Sequence, residues 1–142
     1  MKRISLPKSI MMIIISICIS LCSCDSDSRI EYYTQKENYT SVIGTISSIK
    51  YNEEATALYI EFSELSPVLD DTCFKIVGKN LDTVKANGID DKLKIGEQIM
   101  FITAPKYFGD GYVMPIISIS INGENLLGFE EGYENLIDWL SK

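Results

Sequence analysis

The dipeptide Asn122-Gly123, set between two apolar runs, constrains the fold of this chain more than any other pair of residues. A two-residue type I′ turn needs positive φ at both central positions, and Asn-Gly supplies it while matching the twist of the flanking strands. The pair predicts a hairpin between a strand over Val113 to Ile121, the longest expected, and one over Asn125 to Phe129. Ile117, Ile119 and Ile121 would then face one way, and Pro115 would lie near the strand's start or on an edge. The same period of two recurs upstream. Val42 to Lys50 alternates Val42, Gly44, Ile46 and Ser48 with Ile43, Thr45, Ser47 and Ile49, and Thr56 to Phe62 sets Leu58, Ile60 and Phe62 against Ala57, Tyr59 and Glu61. These two read as an antiparallel hairpin, with Gly44 marking a bulge or bend. Ser63 to Thr72 reads as a loop, and Cys73 to Val77 and Gln98 to Thr103 as two further strands.

Two segments carry helical signals. Leu81 to Ala86 predicts a short helix capped by Asn80 and stopped at Asn87-Gly88. Near the end, Tyr133, Leu136, Ile137 and Leu140 fall at i, i+3, i+4 and i+7 with Trp139 beside them, an amphipathic helix to lie across a sheet. Glu130, Glu131 and Glu134 gather at its amino-terminal end, where the helix dipole favours them. The expected fold is mainly β, of the α+β class: a small five- to six-stranded antiparallel sheet, or an OB-like barrel, with a C-terminal amphipathic helix. The strand order resembles the OB type in pattern, Gly44 falling where the first strand of that fold commonly bends.

With 142 residues, 46% of them hydrophobic, the chain has material for one small domain with an apolar core. It contains no histidine, which excludes Ser-His-Asp, Cys-His and His-ligated zinc chemistry. Lys2, Arg3 and Lys8 account for three of the 13 basic residues and none of the 20 acidic ones precedes Asp25, so ten cations face 20 anions beyond residue 24. A domain of that balance repels a nucleic-acid backbone, and no nucleic-acid partner is expected.

The first 24 residues run from a cationic start, Met1 to Lys8, through the apolar stretch Ile10 to Leu21 to Cys22-Ser23-Cys24. The apolar stretch is shorter than the roughly 20 residues a bilayer span takes and reads as the core of an export signal. Leu21-Cys22-Ser23-Cys24 resembles the lipobox of bacterial lipoproteins: an aliphatic residue, two small residues and a cysteine, with Cys22 departing from the more usual alanine, serine, threonine or valine. The resemblance implies a diacylglycerol thioether on Cys24, cleavage between Ser23 and Cys24, and attachment to the extracytoplasmic face of a cell membrane. An ordinary cleaved signal ahead of a secreted domain is the competing expectation. The implied organisation is a signal peptide over 1–23, a polar lipidated tether over 24–40, part of which Tyr32, Tyr33 and Tyr39 would dock on the domain, and a β-rich domain over 41–142. Cys18 and Cys22 leave with the signal, so Cys73 remains as the one free thiol and is expected to be a small buried hydrophobe.

The segment Pro105-Lys106-Tyr107-Phe108-Gly109-Asp110-Gly111-Tyr112 collects three aromatics, a cation and an acid on a glycine-hinged loop. Lys106, Tyr107, Phe108, Asp110 and Tyr112 form a candidate binding surface, with Tyr59 as companion by analogy with OB-like barrels. The plainer alternative is that these rings cap one end of the domain. Gly109-Asp110-Gly111 lacks the third glycine and following helix of a dinucleotide site. The acid pairs Glu53-Glu54, Asp70-Asp71, Asp90-Asp91 and Glu130-Glu131 read as solvated charge, so no metal, cofactor or catalytic residue is expected. The sequence thus points to a binding or accessory lipoprotein whose partner is an envelope protein, a glycan or a small molecule. An inhibitor or immunity-type lipoprotein against a cationic envelope enzyme, and a carboxylate-based hydrolase, are the competing classes.

Overall fold

A computed structural model describes residues 24–106, 108 and 114–142. Along the chain come helix α1 (Cys24–Thr34), a 3-10 turn (Lys36–Asn38), strands β1 (Thr40–Tyr51), β2 (Ala57–Ser66) and β3 (Cys73–Val77), and helices α2 (Gly78–Ala86) and α3 (Ile89–Lys92). Strands β4 (Gln98–Thr103), β5 (Ile116–Ile121) and β6 (Glu124–Leu127) and helix α4 (Phe129–Leu140) complete it. The strands form one open antiparallel sheet in the order β3-β2-β1-β4-β5-β6 with α4 at the C-terminal end, so the chain is of the mainly β, α+β class. A parallel bridge between Lys75 and Pro115 draws β3 toward the chain entering β5, the Lys75 amide donating to the Met114 carbonyl at 3.0 Å.

Alternation along β1 and β2 places Val42, Ile46, Leu58, Ile60 and Phe62 in a fully buried core. At its centre Phe62 stacks on Phe101 at 4.6 Å between centroids, and Phe74 meets the two rings edge-on at 5.7 and 4.9 Å. Gly44 lies beneath this stack, where a Cβ would come within 2.6 Å of the Phe62 ring. The register of β1 on β2 shifts on both sides of Ile46, whose N–H and C=O pair instead with the turn before β4, at Glu97 and Gly96. The bend expected at Gly44 is thus made just beyond it. Leu81, Val84, Ile89 and Leu93 from α2, α3 and the residue that follows complete this core.

A second apolar cluster unites Tyr33, Ala57, Val77, Ala104, Ile117 and Leu136, with the apolar side of α4 packed against it. Helix and strand approach so closely that a methyl group at Gly132 would overlap the Ile117 carbonyl oxygen. The buried Asn80 fastens the same place, donating to the Gly132 carbonyl at 2.9 Å and accepting from Asn135 at 3.0 Å.

Several expectations are corrected in detail. Asn80 does not cap α2, which begins at Gly78 after Val77; the backbone at Gly78 has φ 61° and presses against Trp139. β5 starts at Ile116, so β1, with 12 residues, is the longest strand. Ile117 does not share a side with Ile119 and Ile121: Thr103 pairs with Ile116 and Ile102 with Ser118, which leaves Ile117 as the extra residue of a bulge turned toward α4. β2 runs on to Ser66, ahead of the cis Ser66-Pro67 peptide. Cys73 is half-buried. The turn at Asn122-Gly123 has φ 51° and 81°, the values that type I′ requires.

Replacing Gly132 with Ala is expected to lower stability by about 3 kcal/mol or more, because backbone would have to yield on both elements. Gly128→Ala, whose nearest neighbour is the end of the Asn125 side chain at 3.8 Å, is expected to cost under about 1 kcal/mol. Urea melts of the two variants side by side check the contrast.

Candidate functional site

Helix α1 and the start of the loop after β4 build one aromatic corner. The Tyr33 ring is 2% exposed, and its hydroxyl donates to the Lys106 carbonyl at 3.3 Å. Phe108 is half-buried and meets Tyr32 and Tyr33 edge-on at 5.5 and 5.7 Å. The exposed Lys106 lays its ammonium over the Tyr32 ring at 5.3 Å and the Phe108 ring at 4.9 Å. The second half of the segment expected to be a tether is therefore packed into the domain, and Tyr32 and Phe108 hold α1 and the loop together.

The corner continues onto α4. Tyr39 sits edge-on to Phe129 and Tyr133, each at 5.9 Å, and donates its hydroxyl to the Tyr33 carbonyl at 2.8 Å. Tyr133 donates to the Thr34 carbonyl at 2.6 Å. Lys36 donates to Glu130 at 2.8 Å and lies over the Tyr133 ring at 4.9 Å; its hydrogen bond to that carboxylate holds the lysine pKa above its usual range. Burial, followed by the Tyr133, Tyr33 and Tyr32 phenols around it, holds the Tyr39 pKa far above the ordinary tyrosine value, and burial raises that of Tyr32.

Tyr59 belongs to the same apolar cluster as Phe108, but among the described residues no ring contact joins the two. Its ring faces Lys75 across the β2–β3 ladder, and the Lys75 ammonium lies 5.8 Å from Tyr59 and 5.9 Å from Trp139. Burial lowers the pKa of that lysine. Lys75 and Trp139 escape a sequence reading because the strand alternation that puts Lys75 beside Tyr59 does not reveal that the end of α4 lands on the same spot. Tyr107, Asp110 and Tyr112 lie outside the described residues, as does Ser23; Cys24 is the first residue of α1.

Of the acid pairs, Glu53, Glu54, Asp70, Asp71, Asp91, Glu130 and Glu131 are exposed. Asp90 is half-buried and accepts from the Tyr51 hydroxyl at 2.8 Å; burial first, then that carboxylate, pushes the Tyr51 pKa up to about 12. The Cys73 thiol is likewise raised, by burial and then by Glu61 and Asp71, which keeps it protonated at neutral pH. Among the described residues no three Cys, Asp or Glu side chains gather as a metal site, and no helix is long and apolar enough to cross a membrane. The chain matches no protein-family model, no curated protein and no solved structure.

The half-buried phenols of Tyr32 and Tyr39 make stability depend on alkaline pH. Tyr32 and Tyr39 hold their protons to higher pH in the folded chain than in the unfolded one, where tyrosine titrates near about pH 10. Their contribution is complete below that value and is lost as pH rises through it toward the folded-state values. The urea midpoint is expected to stay level from neutral pH to about pH 9 and to fall above about pH 10. Tyr39→Phe should cost about 1 kcal/mol at neutral pH through the lost bond to Tyr33 and make the alkaline fall shallower. An equally steep fall in that variant would show that Tyr39 is not its source.

Proposed function

We propose that this chain is a bacterial lipoprotein, held by lipid on Cys24 to the extracytoplasmic face of a membrane, whose β-rich domain serves as a binding or accessory module. The observation that carries the reading is the run Leu21-Cys22-Ser23-Cys24 behind a cationic and then apolar start. In this reading the lipid stands at the first residue of α1, and two or more acyl chains hold the protein where one would bind only marginally.

The domain is read as OB-like. β1 lies between β2 and β4, α2 and α3 fall between β3 and β4, and the Lys75–Pro115 bridge brings β3 to the chain entering β5, the contact that closing such a barrel requires. On this plan the loop after β4 and the outer side of β2 and β3 border a ligand. Tyr59, Lys106, Tyr107, Phe108, Asp110 and Tyr112 are its proposed binding residues, for an envelope protein, a glycan or a small molecule. Lys75 and Trp139 join them, since each shares a cation–ring contact with Tyr59 or its lysine neighbour. The surplus of ten anions beyond residue 24 favours one second reading, an inhibitor of a cationic envelope enzyme, because opposite charge speeds such an encounter. A salt-sensitive complex with a cationic muramidase would favour that reading, and its absence would remove it.

Expression of the full chain in bacteria fed radioactive palmitate tests the anchor. The unaltered chain and Cys22→Ala are expected to take up label and sediment with membranes, and Cys24→Ala to do neither. Label retained by Cys24→Ala would refute the assignment.

A further inference from the structure

We propose that the corner carrying Tyr32, Lys106 and Phe108 rests in the headgroup layer of the bilayer to which Cys24 is tied, so that Lys106 and Phe108 meet lipid and Tyr59, Lys75 and Trp139 are left to a ligand; the inference itself rests on the lipid anchor. Reach is the first argument. Only the seven residues Asp25 to Glu31 separate the lipid-bearing cysteine from Tyr32, all of them within α1. Tyr32 is fixed on the domain by Phe108, and its carbonyl accepts from the Asn38 side chain at 2.9 Å. The eight steps from Cys24 to Tyr32 rise roughly 12 Å as a helix, and even fully extended they span only about 26 Å. A domain of about 110 residues is roughly 34 Å across. The link is therefore shorter than the body it carries, so the domain sits against the bilayer with the Tyr32 corner nearest to it and its far side out of reach.

Chemistry is the second argument. Tyr32 and Phe108 are half-buried, and Lys106 is exposed with its ammonium over both rings. A tyrosine, whose ring carries a polar edge, and a lysine whose stem covers apolar surface while its charge stays in the wet layer are side chains that gather at bilayer interfaces, and the Phe108 ring adds apolar surface beside them. These three residues together hold too little surface to bind a membrane unaided. Tied to an acyl anchor, they meet it at a high effective concentration, and a weak contact becomes the populated one.

Nitroxide labelling of the full, acylated chain in phosphatidylcholine vesicles tests the contact, with Cys73→Ser removing the thiol of the described domain that would compete for label. Labels are placed singly through Lys106→Cys, Glu31→Cys beside Tyr32, and Val68→Cys, whose residue is 88% exposed in the loop after β2. Glu31 serves as a second probe because labelling at 106 removes the lysine itself. The ratio of collisions with oxygen to collisions with a water-soluble nickel chelate should rise about threefold at 106 and 31 on reconstitution and stay unchanged at 68. Equal ratios at all three sites, whether high or low, on chains that float with the vesicles and carry label from palmitate would overturn the proposal while leaving the anchor standing. Chains that acquire no palmitate would overturn the anchor, and the docked corner with it.

Discussion

The contact between Gly132 and the Ile117 carbonyl sets how α4 meets the sheet. Only a residue without a side chain lets the helix come so near, and the approach brings Leu136 and its neighbours into the second apolar cluster. Asn80 makes the same site specific in a way that apolar contact does not. It is 2% exposed, and both of its side-chain bonds run to α4, so sliding the helix along the sheet would leave buried polar groups without partners. The bulge at Ile117 belongs to the same arrangement, because it turns one isoleucine of β5 toward α4 while Ile119 and Ile121 stay in the core around the three phenylalanines.

Much of this architecture is legible in the sequence wherever a local rule governs it. The turn at Asn122-Gly123, the strands Cys73–Val77 and Gln98–Thr103, the buried side of β2 and the apolar side of α4 follow from periodicity and turn chemistry alone. The departures share a cause, which is that distant segments decide them. Asn80 has the chemistry of a cap, yet its amide is drawn 52 residues along the chain to Gly132. Ile117 leaves the alternation of β5 because β4 slips in register beside it. β2 outlasts its apolar run because Glu64, Leu65 and Ser66 pair with β1.

The same division holds for the candidate surface. Composition marks Lys106 and Phe108, and both stand at the aromatic corner. It does not show that Tyr32 and Tyr33, from a segment read as tether, provide the floor on which they rest. An isolated Tyr-Tyr pair after a polar, acidic stretch gives no periodic signal, and its burial depends on space left between α4 and the end of β4, where Ala104 is fully buried. Tyr59 carries the other part of the surface, and its partners Lys75 and Trp139 come from a neighbouring strand and from the last turn of α4. The result is two sets of rings packed against the second apolar cluster, one where α1 meets the start of α4 and one at the last turn of α4.

Trp139 is the sole indole of the chain, and it touches the seam where α4 meets the turn from β3 into α2, with Gly78 pressed to its ring and the Lys75 ammonium beside it. Its fluorescence is therefore a private gauge of that seam. Were the terminal helix to lift while the phenylalanine stack stayed intact, the emission would change before any loss of strand content, and the two halves of the molecule could be watched separately in one cuvette.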